Sequence, residues 1–311
     1  MTLLNECPSC NTPRPKIYAQ LAAQMHHSKE TFTFERCDLC QLLMLNPRPT
    51  PETLRNYYGD YYLPYRGDSA WGRYRRLVKI DQARLDNRRI KVLQKFGTLT
   101  PKSVVLDVGC GKPTFLQSIH MQYGAKGIGV DFSDHGWSGQ PSIFPNLDLQ
   151  LKAPTDVQLD HPPDFITMWH YLEHDYFPHQ TLSHLAGLSG PDTHLVIEVP
   201  NFDSASRKKY GRNWAGWHTP RHTFLFSPQN LSMLLEKSGW SIKKLELSGT
   251  LHNYLLYWMS ELEQRETDWR GSMEKQFWGF VVGQTRFILK NLFGKKDSHG
   301  FMLLVASPAK S

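Results

Sequence analysis

The sequence contains no run of the ~18–20 uninterrupted apolar residues that a membrane-crossing helix needs. Its first residues lack the basic-then-apolar layout of a secretory leader, so the expected compartment is the cytoplasm. There is no internal repeat and no low-complexity tract. Hydrophobic residues at 40%, charged at 21% and aromatic at 12% exclude disorder, collagen-like repeats and coiled coil. A folded chain of 311 residues has room for about two units. Acidic residues are in the minority, 29 against 36 basic, for a formal charge of +7. That balance admits nucleic acid, phosphorylated small molecules or a membrane surface as partners without choosing among them. Much of the excess lies between Arg66 and Lys102, where eleven basic residues face only Asp68, Asp81 and Asp86.

Cysteine is scarce as well, five in all, yet four form two CxxC pairs, Cys7/Cys10 and Cys37/Cys40. Each pair turns two sulfurs toward one point, and two such knuckles supply the four ligands of a tetrahedral structural Zn²⁺. Residues 17–25 and 31–36 read as the strands of a ribbon hairpin around His27-Ser28-Lys29. Two disulfides or four unrelated thiols are the competing readings, and disulfides fit poorly without a secretory leader. Four protein sulfurs leave no open position, so the metal would be structural.

Beyond the knuckles, Thr50-Pro51-Glu52 reads as a helix start. Tyr57, Tyr58, Tyr61 and Tyr62 follow, as substrate contacts or as packing for the ribbon. Residues 71–96 read as a basic amphipathic helix with Leu77, Ile80, Ile90, Leu93 and Phe96 on the buried side. From residue 103 apolar strands alternate with helices. Strands are expected at 103–108, 126–131, 164–169, 194–199, 241–247 and 301–306, and helices at 113–122, 176–188 and 228–238. This alternation implies a mostly parallel sheet covered on both faces.

The first of these strands ends in Gly109-Cys110-Gly111 and the second in Asp131. Glycines admit close backbone approach, a helix N-terminus favours an anionic group, and a carboxylate there accepts two ribose hydroxyls. A dinucleotide or S-adenosylmethionine fits that description. Thr114 stands where a dinucleotide fingerprint has its third small residue, and Asp107 would repel a pyrophosphate.

Six motifs then fall in one order: Val105-Leu106-Asp107-Val108-Gly109-Cys110-Gly111, Gly129-Val130-Asp131, Met168-Trp169-His170-Tyr171-Leu172-Glu173-His174, Ile197-Glu198-Val199-Pro200-Asn201, Pro220-Arg221-His222 and Ser238-Gly239-Trp240. Over residues 103–247 the chain resembles class I S-adenosylmethionine-dependent methyltransferases. With the Cys pairs and Leu45-Asn46-Pro47-Arg48-Pro49 upstream, it is also similar to the zinc-bearing sugar C-methyltransferase type. The resemblance implies that Asp107, Gly109 and Gly111 hold the methionine end of the cofactor. It places Asp131 at the ribose, Phe132 on adenine, and Trp169 and His170 at the amino-acid end. Pro113 replaces a further glycine of the usual motif, and Gly136, Gly139, Pro141 and Pro145 imply that the helix after the second strand is short.

His222 is the candidate general base, since imidazole suits proton removal near pH 7 and its segment faces substrate in this fold. In the similar sugar enzymes such a His follows an acidic residue, whereas Arg221 precedes it here and is a candidate for a substrate phosphate or carboxylate. The alternative is that both residues anchor the loop of Trp214, Trp217 and His218. Glu198 and Asn201 are further substrate-binding candidates, and Glu173 and His174 are expected to orient the loop beneath the cofactor.

Residues 249–300 read as a helical insertion before the last strand, with Tyr254 to Met259, Phe277 to Val282 and Arg286 to Phe293 as apolar stretches and Lys295 and Lys296 beyond. They suit a lid, a homodimer contact or a membrane surface. The expected architecture is α/β: a Rossmann-like seven-stranded sheet in residues 66–311 after a zinc ribbon and linker in residues 1–65. The expected activity is methyl transfer from S-adenosylmethionine to a polar small molecule, a sugar or other anionic metabolite. An RNA methyltransferase and a non-catalytic protein acting through its ribbon and insertion are the rivals. Nucleic acid is the lesser fit.

Overall fold

Runs such as Val104–Val108 and Phe165–Trp169 become strands because side chains on both faces find cover; Leu106, Val108, Ile166 and Met168 are fully buried. The computed structural model describes residues 1–13, 15–139, 143–292 and 300–309. In chain order the strands are β1 (Lys16–Ala22), β2 (Thr31–Arg36), β3 (Leu43–Leu45), β4 (Val104–Val108), β5 (Lys126–Asp131), β6 (Leu147–Leu151), β7 (Phe165–Trp169), β8 (His194–Pro200), β9 (Phe224–Leu225), β10 (Trp240–Glu246) and β11 (Phe301–Pro308). The α-helices are α1 (Pro51–Arg55), α2 (Leu63–Arg66), α3 (Arg75–Leu93), α4 (Thr114–Tyr123), α5 (Pro178–Gly187), α6 (Ala205–Tyr210), α7 (Pro228–Lys237), α8 (Leu255–Gln264) and α9 (Phe277–Leu292).

Two units form. The first combines Met1–Lys79, Pro200–Leu231 and Leu247–Met302; the second combines Ile80–Val199, Ser232–Glu246 and the chain from Leu303. In the first unit β1 and β2 make the hairpin, with Lys16 opposite Arg36, and β3 and β9 extend it to an antiparallel sheet in the order β1-β2-β3-β9. Phe34, Leu43, Leu45, Trp214 and Trp217 form its core with Trp258 and Trp269 of the 249–300 segment. The fourth strand of this sheet, β9, comes from far along the chain.

The second unit carries a seven-stranded sheet in the order β10-β11-β8-β7-β4-β5-β6. The pairs β8/β7, β7/β4, β4/β5 and β5/β6 are parallel, and β10/β11 is antiparallel. Phe115, Leu116 and Ile119 of α4 pack beside Val105, Phe165 and Val196.

Four expectations change. The helix expected from residue 71 starts as α3 at Arg75, after 3₁₀ turns over Gly67–Tyr74 in which Gly72 has φ 49°. Leu77 and Ile80, expected inside, are each 49% exposed, and burial on α3 begins at Leu85. β6 was not expected; its Leu-Asp-Leu-Gln-Leu sequence lies at the sheet edge, half exposed. After β5 the described residues form turns and no helix. Pro141 lies outside the described residues, as do Phe293, Lys295 and Lys296. Among the described residues no helix is long and apolar enough to cross a membrane.

Candidate active site and metal centre

At the end of β4 the chain must turn sharply before α4, and Gly109 and Gly111 do so with φ of 77° and 48°, where an L side chain is strained. A Cβ on Gly109 would lie 2.3 Å from the Tyr171 ring, whereas one on Gly111 would meet nothing within 4 Å. The turn is therefore walled on one side and open on the other. At the end of β5 the buried Asp131 carboxylate accepts from the Gly111 amide (2.9 Å) and the Ser133 amide (3.0 Å). Burial raises its pKa, and these donors oppose the rise. Phe132, next in line, is 53% exposed.

Asp107, inside β4, accepts from the Thr167 hydroxyl at 2.6 Å. Burial pushes its carboxyl up to about 7 against that bond and the nearby charge of Arg89. The Arg89 guanidinium lies 4.8 Å from the Trp169 ring centroid, and Phe115 meets the same ring edge-on at 5.6 Å. Trp169 Nε1 is a buried donor with no hydrogen-bond partner among the described residues.

His170 follows β7 in the left-handed region, φ 59°. Its Nε2 is 3.1 Å from Glu198 Oε1 and its Nδ1 is 3.6 Å from Glu173 Oε1, and both carboxylates are buried. Burial disfavours the charged ring, but the bonds to Glu173 and Glu198 outweigh it and push the imidazole up to about 9. The ring is thus held between two carboxylates, an arrangement that favours its protonated form.

In the first unit His222 is buried, and its Nδ1 lies 2.9 Å from the Gly216 carbonyl. A carbonyl only accepts, so Nδ1 carries the hydrogen and Nε2 is the basic nitrogen. The His218 ring is 4.8 Å away, and Tyr62, which stands 5.8 Å from His218, contacts Tyr58 and Tyr65. Arg221 is fully buried and donates to the carbonyls of Tyr57 (3.0 Å), Gln24 (3.1 Å) and Met25 (3.3 Å).

The four N-terminal cysteines are free thiols whose sulfurs all lie within 4.8 Å of one another. Cys7 and Cys40 are 3.5 Å apart and Cys10 and Cys37 3.4 Å, too long for disulfides. The β1–β2 hairpin sets this spacing by holding one pair before β1 and the other after β2.

A family model described as a methyltransferase domain matches residues 80–245, more than half of the chain. The chain belongs to the methyltransferase-domain family. No curated protein matches its sequence. Among solved structures it is similar to the [4+2]-cyclase SpnF, at 14% identity and a TM-score of 0.55, over 85% of this chain and 98% of that one. It is also similar to a chain of the Haloferax volcanii complex of the Trm112 methyltransferase activator, at 15% identity and a TM-score of 0.51, over 75% of this chain and 93% of that one. These likenesses concern the fold.

Within the methyltransferase the second unit brings Asp107, Gly109, Gly111, Asp131, Phe132, Trp169, His170 and Glu198 to the ends of β4, β5, β7 and β8. Asn201, Arg221 and His222 belong to the first unit. Of the three residues expected at substrate, Glu198 holds His170, Asn201 accepts the Asp203 amide at 2.9 Å, and Arg221 spends its Nη atoms on carbonyls. All three are fully buried. Thr167 and Arg89 were missed as site residues. A Thr inside an apolar strand is a weak signal, and one cation among eleven in a basic stretch gives none.

Proposed function

We propose that this methyltransferase acts on a polar small-molecule acceptor, a sugar or another anionic metabolite, and that His222 removes the acceptor's proton. The fixed tautomer of His222 carries the reading: with Nδ1 donating to Gly216, the basic nitrogen is Nε2. In that tautomer Nε2 is the ring nitrogen that would take the proton. Arg221 positions it, because three carbonyl bonds fix the backbone of the adjoining residue.

The second unit fits S-adenosylmethionine. Open space at Gly111, the unpartnered Trp169 Nε1 and an Asp131 carboxylate with lone pairs beyond its two amide bonds are the features such a group needs. Asp107, Gly109 and Gly111 would hold its methionine end, Asp131 its ribose, Phe132 its adenine, and Trp169 and His170 its amino-acid end. Bound there, it supplies a methyl group already activated on a sulfonium. Four sulfurs at zinc-like spacing support a structural Zn²⁺ on Cys7, Cys10, Cys37 and Cys40.

Calorimetry with S-adenosylhomocysteine tests the cofactor half: Asp131→Ala should weaken binding by about 1.5–3 kcal/mol through lost charge-assisted hydrogen bonds. Turnover tests the other half. With an acceptor in hand, His222→Ala should lower kcat roughly 10²–10⁴-fold while cofactor affinity stays constant. A stable His222→Ala enzyme with undiminished turnover would remove His222 from the chemistry.

A further inference from the structure

Helix α9 is apolar on both sides. Its inner side uses Phe280 and Phe287, whose rings contact Tyr254, Tyr257 and Trp258 at 5.1–6.0 Å. None of its residues is buried, however, and Trp278, Val282, Ile288, Leu289 and Leu292 are 44–63% exposed. At 100° per residue Trp278, Val282, Leu289 and Leu292 fall on one outward stripe, with Ile288 at its margin. Thr285 lies on the same stripe, but its hydroxyl donates to the Val281 carbonyl at 2.9 Å, which removes its polarity from the face.

Charge surrounds this stripe on one side. Arg286 and Lys290 flank it, and α9 contains no acidic residue. Neither cation forms an ion pair among the described residues, whereas nearby Arg73 pairs with Glu274, and Arg75 and Lys79 with Asp68. Trp278, at the start of the stripe, donates its indole hydrogen to Tyr74 Oη at 2.7 Å, so its ring stands out with its polar atom satisfied. An exposed apolar stripe with an aromatic at one end and uncompensated cations along one edge matches the boundary between lipid headgroups and acyl chains.

We infer that α9 is an interfacial helix that seats this methyltransferase on an anionic lipid surface. Its sixteen residues span about 24 Å, short of the ~30 Å hydrocarbon core, so the helix lies in the surface rather than crossing it. Charge complementarity selects lipid over a second copy of the chain. A self-contact across the stripe would bring Arg286 and Lys290 of both chains into one desolvated patch with no acid on either helix to answer them.

Flotation of the full chain with vesicles tests the inference. The protein should float with phosphatidylcholine vesicles containing phosphatidylglycerol, much less with phosphatidylcholine alone, and less as salt rises. Leu289→Ser combined with Leu292→Ser should lower the partition coefficient by about tenfold or more. Arg286→Gln combined with Lys290→Gln should lower it by a similar factor, on anionic vesicles only. Both pairs are exposed, so the melting temperature and S-adenosylhomocysteine affinity should hold, which separates lost docking from lost folding. Failure of the wild-type protein to float with anionic vesicles would overturn the inference. So would binding by both double variants as strong as that of the wild-type protein, or a solution dimer that the leucine substitutions dissolve while no vesicle is bound.

Discussion

His170 combines three properties that few side chains share: a left-handed backbone, a partly buried ring, and two buried carboxylates as neighbours. Its folded pKa, up to about 9, lies above the ordinary histidine value near 6.5. A group raised in this way contributes stability that is fully present below pH 6.5 and is lost as pH rises through about 9. The unfolding free energy should fall by roughly 1–3 kcal/mol across that window, and urea melts at stepped pH should show it. His170→Gln should flatten the profile over the same range; an unchanged slope would mean that other groups set it. The histidine itself was legible from the Trp169-His170-Tyr171 motif. Its bond to Glu198 was not, because the two are 28 residues apart and meet only through the parallel pairing of β7 with β8.

At the scale of elements, the ribbon hairpin was readable because alternation and the CxxC spacing agree, and β1 and β2 fall where expected. The edge strand β6 escaped notice because exposure at an edge permits Asp148 and Gln150, leaving no continuous apolar run. Leu77 and Ile80 misled because apolar spacing on a helix marks one face without saying whether anything covers it. Helix α9 repeats that lesson on both its sides. Four thiols at this spacing make a definite claim: purified protein should hold about one zinc per chain by metal analysis. Cys37→Ser should lose it, since a three-sulfur site binds more weakly and binding is coupled to folding of the ribbon. A metal-free protein with an intact hairpin would contradict this.

At the scale of the molecule, the parallel sheet was legible because five of its strands are nearly continuous apolar runs. The composition of the first unit was hidden, because β9 and the 249–300 segment join the N-terminal hairpin through contacts that no local pattern encodes. Hydrogen exchange should resolve the two units. S-adenosylhomocysteine should slow exchange at the ends of β4 and β5 and at the start of α4, while a zinc chelator should speed it in β1 and β2. Chelation should also alter tryptophan emission, since Trp71, Trp214, Trp217, Trp258, Trp269 and Trp278 belong to the first unit.

The position of β11 between β10 and β8 carries a consequence in time. During synthesis the β1–β2 hairpin and its four thiols emerge early, yet β9, which completes their sheet, follows only at residue 224. Phe301 adds to one core, and Leu303 and Val305 to the other, so both wait for the same strand. From Glu246, where β10 ends, the ribosome has 55 residues to add before it reaches Phe301, roughly 3–11 s at ~5–20 residues per second. Through that interval β8 and β10 have an empty lane between them, and the nascent chain presents two open strand edges to whatever binds such edges in the cell.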